Sequence, residues 1–296
     1  MLEKAKQLIN QLQNGNVKAL ARLLTIVENN LAGADDILKA LKIKEVPVVG
    51  ITGPPGAGKS TLVNSVLNEL SKNHKTAILA IDPTSPFNMG SLLGDRIRMT
   101  DQFNNKNVFI RSLATRGSLG GLSAKTIEMV DVLKSADFDY IFIETVGVGQ
   151  SEIEIAGLAD LTVVVLVPEA GDEIQSIKSG LMEIADIFVV NKADREGADT
   201  FANHLKMMLN HHHQPIPVLK TIASQSQGVR ELIEQIKGVS AKNNLRKPYL
   251  LAEKAWRLIQ NFRMKDLNKE KLQQEIAEAL KKDFNLYQFV EKFKNS

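Results

Sequence analysis

Eight consecutive residues, Gly53-Pro54-Pro55-Gly56-Ala57-Gly58-Lys59-Ser60, fit the phosphate-binding pattern G-x-x-x-x-G-K-[ST] and follow the apolar run Val48-Val49-Gly50-Ile51. A triphosphate carries roughly three to four negative charges, and holding them away from bulk water requires fixed donors. Glycines let successive backbone N–H groups turn inward around the phosphates. In this pattern Lys59 reaches the β- and γ-phosphates and the Ser60 hydroxyl coordinates Mg²⁺. The helix that starts here adds the positive end of its dipole. Its apolar positions Leu62, Val63, Val66, Leu67 and Leu70 follow helical spacing, so the strand, loop and helix that the pattern needs are all present. The nucleotide contacts expected from this segment are Gly53, Pro54, Pro55, Gly56, Ala57, Gly58, Lys59, Ser60 and Thr61.

A second group reads the base. Asn191-Lys192-Ala193-Asp194 follows the apolar run Ile187 to Val190, at the end of a strand, where loops of an open parallel sheet meet their ligand. The Asp194 carboxylate can accept from guanine N1–H and N2–H₂, whereas adenine offers an acceptor at N1 and leaves the carboxylate unpaired. That selects GTP over ATP. Thr221-Ile222-Ala223-Ser224 lies where a backbone N–H, that of Ala223, would meet guanine O6.

Between the two groups lie the carboxylates expected to organise Mg²⁺ with Ser60: Asp82 at a strand end, Asp95 in Gly94-Asp95-Arg96, and Glu144 at the end of Tyr140 to Ile143. They act directly or through water, because Mg²⁺ commonly keeps several waters. Lys59, Glu144 and Gly147, whose N–H would meet the γ-phosphate, are the candidate catalytic groups. Val146 to Glu152 is the candidate switch that responds to loss of that phosphate. Val148 follows Gly147 and cannot orient water, so slow intrinsic turnover is expected. Gln150, Arg96, Arg98 and Arg116 are candidates for the missing groups, with a salt-bridging role as the alternative.

The elements that must carry these residues alternate. From Val46 to about Lys237, the runs 77–81, 108–110, 140–143, 161–167, 187–190 and 216–219 alternate with helical patterns, and several are continuously apolar, as strands buried on both faces of a parallel sheet require. The fold class predicted is α/β: a doubly wound, mostly parallel sheet flanked by helices, the P-loop NTPase architecture. Residues 1–44 read as an N-terminal helical extension, 45–240 as the nucleotide domain and 241–296 as a C-terminal helical arm. The arm holds 13 Lys+Arg against 7 Asp+Glu, and its apolar stripe lacks obvious companions within its own length, so it packs either on the main domain or on another copy of the chain.

Composition narrows the classes further. The chain is 44% hydrophobic and 24% charged, as globular proteins are. The absence of cysteine excludes disulfides, thiolate metal sites and thiol nucleophiles. A net charge of +3 gives no argument for nucleic acid, and no apolar run approaches the roughly 18 residues of a membrane span. A cytoplasmic location is expected, with no membrane partner. His211-His212-His213 suggests a metal reading, but only two adjacent histidines easily face one ion, and a solvated turn is the alternative.

Five segments, 82–86, 94–99, 115–121, 144–152 and 171–178, together resemble the MeaB/ArgK family of GTPases, the methylmalonyl-CoA mutase-associated proteins. The resemblance extends over nearly the whole chain; Met89-Gly90 departs locally, where many relatives have two glycines. It implies a homodimeric Mg²⁺-dependent GTPase that cycles between GTP and GDP. Such a protein acts as a chaperone of an adenosylcobalamin-dependent acyl-CoA mutase, gating cofactor loading and protecting or rescuing the mutase. It also implies that Lys59, Ser60, Asp82, Asp95 and Glu144 contact phosphate and magnesium, that Asn191, Lys192 and Asp194 hold the base, and that Gly171 to Lys178 is an additional switch. Two other classes stand beside it: a metallocentre-insertion GTPase, and an ATP-using accessory kinase of basic amino-acid transport, the family's older label.

Overall fold

Strand β1 (Val48–Thr52) is buried at every residue, as are β5 (Leu161–Leu166) and β6 (Ile187–Val190). Such strands have no solvent face, which is why their sequences run apolar without alternation. With β2 (Thr76–Asp82), β3 (Val108–Ala114), β4 (Tyr140–Glu144) and β7 (Val218–Lys220) they form a sheet in the order β3-β2-β4-β1-β5-β6-β7. Every pairing is parallel. The doubly wound α/β class expected from the sequence is therefore the one observed, and the sheet is wholly rather than mostly parallel among the described residues. The computed structural model describes residues 2–82, 99–102, 104–114, 124–145, 155–169, 181–209, 215–239, 247–281 and 284–293.

Alternate residues of the strands feed two cores. On one face Val49, Ile51, Val163 and Val165 meet Leu62 and Val66 of α4 (Lys59–Leu70), together with Leu232 and Ile233 from the helix Val229–Lys237. On the other face Val48, Leu79 and Ile141 meet Leu23 and Leu24 of α2 (Val17–Glu28) and Met129 and Leu133 of the helix Ala124–Lys134. Further along that second face, Val164, Phe188 and Val190 pack on Phe201 and Leu205 of the helix Ala198–Leu209.

The first helices belong to this packing. Between α1 (Leu2–Gln13) and α2 the chain turns at Gly15, and the Asn16 side chain accepts the Ala19 N–H at 3.0 Å, capping α2. Leu20, Leu23, Leu24 and Val27 then fall on one buried stripe. A short helix, α3 (Ala34–Ala40), adds Ile37 to the same cluster.

At the amino edge of the sheet, carboxylates take up strand-start N–H groups: Asp160 from Val48 at 3.0 Å, Asp186 from Thr162 at 2.7 Å and Asp139 from Lys75 at 2.8 Å. Each supplies an acceptor to a backbone N–H at or beside the start of a strand: Val48 opens β1, Thr162 is the second residue of β5, and Lys75 precedes β2.

The chain divides into two compact units, Met1–Leu251 and Ala252–Ser296. The second holds most of the helix Lys247–Arg263, then Lys269–Ala279 and Leu286–Glu291, the last two capped by Asn268 and Asn285. Phe289 is buried between Phe284 and Phe293, with ring centroids 5.8 and 5.7 Å away.

Candidate functional site

Strand β1 lies between β4 and β5 at the centre of the sheet, and all three end at the same carboxyl edge. In such sheets the crevice at that edge is where ligands sit. Leaving β1, the chain passes Gly53 at φ +136°, where an added Cβ would come within 2.0 Å of Val165 O. It reaches α4 through Gly58 at φ +84°, where a Cβ would lie 2.5 Å from Asn191 Nδ2. Only glycine satisfies both the backbone angle and the closeness at these two positions. Among the described residues no side chain caps the start of α4, which leaves the N–H groups of its first turn to an anion.

Three of the expected phosphate and metal residues, Lys59, Ser60 and Glu144, are brought together at that helix start. Lys59 is buried, and its Nζ donates to Gly53 O at 2.7 Å and Pro54 O at 3.0 Å, folding the ammonium back across its own loop. Ser60 Oγ donates to Glu144 Oε1 at 2.6 Å, with both residues buried. The register Ile51↔Glu144 sets this geometry, since it places the last residue of β4 beside the end of β1. Behind them Thr145 Oγ1 donates to Thr52 Oγ1 at 2.9 Å. An ammonium, a hydroxyl and a carboxylate thus converge on one anion-binding loop.

The second cluster is tied to the same loop. Asn191 Nδ2 donates to Ala57 O at 2.9 Å, and Lys192, at φ +56°, donates from Nζ to Gly56 O at 2.7 Å. Asn191 Oδ1 accepts from Thr221 Oγ1 at 3.0 Å and from Ala223 N–H at 3.1 Å. The Ala223 N–H, expected to face guanine O6, is thus directed at Asn191 in this structure. Ser65 Oγ on α4 donates to Ala223 O at 2.6 Å, which fixes that turn from below. Asp194 is exposed at the rim, as are Pro55, Gly56 and Thr61. Beside Asp194, Arg195 pairs with Glu169 and, by hydrogen bonding to it, holds that carboxyl below the usual carboxylate range.

Asp82 ends β2 at this same edge. Asp95, Gly147, Gln150, Arg96, Arg98, Arg116, the stretch Gly171 to Lys178 and His211-His212-His213 lie outside the described residues. Thr52 and Ser65 were not singled out in the sequence, and Thr145 and Thr221 stood there only as members of longer segments, with no role of their own. Their only signal is a hydroxyl at a strand end or on the helix after the loop, a feature shared by many surface turns.

The parallel sheet, the glycine-bounded loop and the lysine at the start of α4 define a P-loop nucleoside triphosphatase. Residues 20–281 match the family model described as methylmalonyl Co-A mutase-associated GTPase MeaB. A protein of Pyrococcus horikoshii that carries a GTPase name is 46% identical over 263 residues, 86% of this chain and 82% of its own. A fused isobutyryl-CoA mutase of Geobacillus kaustophilus is 38% identical over 239 residues, which span 73% of this chain and 22% of the mutase. The crystal structure of a LAO/AO transport system kinase shares the fold with a TM-score of 0.69 at 23% identity, covering 99% of this chain and 97% of that one. The chain belongs to the MeaB family and is a GTPase.

Proposed function

We propose that this GTPase is a Mg²⁺-dependent switch that acts, as a homodimer in the cytoplasm, as chaperone to an adenosylcobalamin-dependent acyl-CoA mutase. It gates cofactor loading and protects the mutase. The observation that carries the nucleotide part is the junction of two clusters on one loop: Ser60 bonded to Glu144 beside Lys59, and Asn191 and Lys192 bonded to Ala57 and Gly56. The mutase part is supported by the family and by the relative that carries a similar segment within a mutase chain.

In this reading the amides of Gly53 to Thr61 cradle the phosphates. Lys59 exchanges its two carbonyl partners for oxygens of the β- and γ-phosphates, so its charge is spent on the group being transferred. Ser60 and Glu144 form a buried, all-oxygen pair of one negative charge at the loop, which suits a hard divalent cation. They would hold Mg²⁺ with Asp82 and Asp95, directly or through water. When bound, the ion neutralises charge on the phosphates. Gly147 offers its N–H to the γ-phosphate, and its loss on hydrolysis releases the neighbouring segment. Asp194 pairs with the guanine N–H groups, while Asn191 and Lys192 hold the loop that carries it. Ala223 shares its N–H between Asn191 and guanine O6.

The residue immediately after Gly147 is Val148 and not a glutamine, so water is poorly oriented in the chain alone. Turnover is slow until the mutase reorders the switches, including Gly171 to Lys178. Comparing GTP hydrolysis with and without a cognate mutase tests this: a rise of about tenfold or more is expected, and equal rates contradict it.

A further inference from the structure

At the amino edge of the sheet, opposite the end that carries Lys59, a cavity of about 120 Å³ opens between the α1–α2 turn, the start of β3 and the segment leading into β4. Its apolar wall is formed by Leu12, Val17, Leu20, Phe109 and Phe138. Leu12 and Leu20 are buried, while Val17 is 59% exposed at the mouth. The two phenyl rings stand 6.1 Å apart between centroids. A polar hollow of about 340 Å³ adjoins it, bounded in part by Lys72, His74 and Asp139. The two share Lys75, Asn107 and Asp137, so they are one depression with an apolar floor and a charged mouth.

Size and charge together set the ligand. An apolar protein cavity of about 150 Å³ accepts benzene, so this smaller floor of about 120 Å³ accommodates a group of about five carbons. The carboxylates at the mouth are already matched. Asp137 accepts from Lys75 Nζ at 2.7 Å with Lys44 at 4.0 Å, and Asp139 accepts the Lys75 N–H at 2.8 Å with His74 Nδ1 at 3.6 Å. Lys72 pairs with Glu69 at 2.6 Å. Lys106, exposed on the wall of the cavity, is engaged by no ion pair among the described residues. An incoming anion therefore gains a cation, and an incoming ammonium meets one.

We propose that this depression binds a small amphiphilic carboxylate: an apolar group of about five carbons in the cavity, its anionic head beside Lys106. The site is separate from the nucleotide loop. The test follows the methyl resonances of Leu12, Val17 and Leu20 by NMR in the full chain during titration with hexanoate, hexylammonium and acetate. Hexanoate is expected to shift these methyls saturably. Acetate lacks the tail methylenes and should bind roughly a hundredfold more weakly. Hexylammonium should be about fivefold weaker or worse, and Lys106→Glu should cost hexanoate about fivefold, the scale of one exposed charge pair. Lys106→Gln should fall between. Absence of a saturable shift, equal affinity for the two hexyl probes, or full hexanoate affinity in Lys106→Glu overturns the assignment.

Discussion

Asn191 uses both ends of its amide: Nδ2 holds Ala57 O in the phosphate loop, while Oδ1 takes the Thr221 hydroxyl and the Ala223 N–H. A buried amide so committed is a structural bolt, so in the proposed function base discrimination falls to the exposed Asp194 at the last position of the same motif. That division gives a specific expectation. Asp194→Asn leaves the bolt in place but replaces an acceptor with an amide, so GTP affinity should fall about a hundredfold or more while xanthosine nucleotides, whose extra carbonyl pairs with an amide, gain. Competitive titration with the two nucleotides measures it, and an unchanged preference contradicts the assignment. The motif itself was visible in the sequence as Asn191-Lys192-Ala193-Asp194. The bolt was not, since nothing in four residues reveals that Asn191 would meet Ala57 more than a hundred positions earlier, or that Gly58 must be glycine because a Cβ would strike Asn191 Nδ2.

The strands are the most legible elements, because burial on both faces leaves runs such as Leu161–Leu166 with no polar position. Their order was not legible: β2 lies beyond β4 from β1, and a hydrophobic run carries no mark of its neighbour. At the edge, Ile216-Pro217-Val218-Leu219 reads as a strand, but pairing begins at Val218, while Pro217 contributes only its carbonyl, to Phe188 N–H at 2.9 Å. The first helices were legible as amphipathic, but an apolar stripe says that a helix packs and not on what. Here α2 packs into the same core as β1 and β2, with Leu24 fully buried. Leu24→Ala should therefore destabilise the sheet unit by about 2–5 kcal/mol. Urea unfolding followed by circular dichroism should show it as a lowered midpoint; an unchanged midpoint means that α2 contributes little to the core.

For the molecule as a whole, the second unit leaves Trp256, Phe262 and Tyr287 exposed at 61%, 67% and 83%. Large aromatics exposed in one segment are what an interface between copies requires. If the arm dimerises, Phe262→Glu should shift the chain from dimer to monomer in sedimentation at micromolar concentration, with GTP binding intact; a dimer that survives the charge places the interface elsewhere. The nucleotide account stands apart from that outcome, since the clusters around Lys59 and Asn191 lie within the first unit. Its most direct test is hydrolysis by the full chain of GTP and of ATP, each with Mg²⁺ and at matched concentrations. The account predicts kcat/KM for GTP at least about a hundredfold above that for ATP, and equal rates, or a preference for ATP, would contradict it.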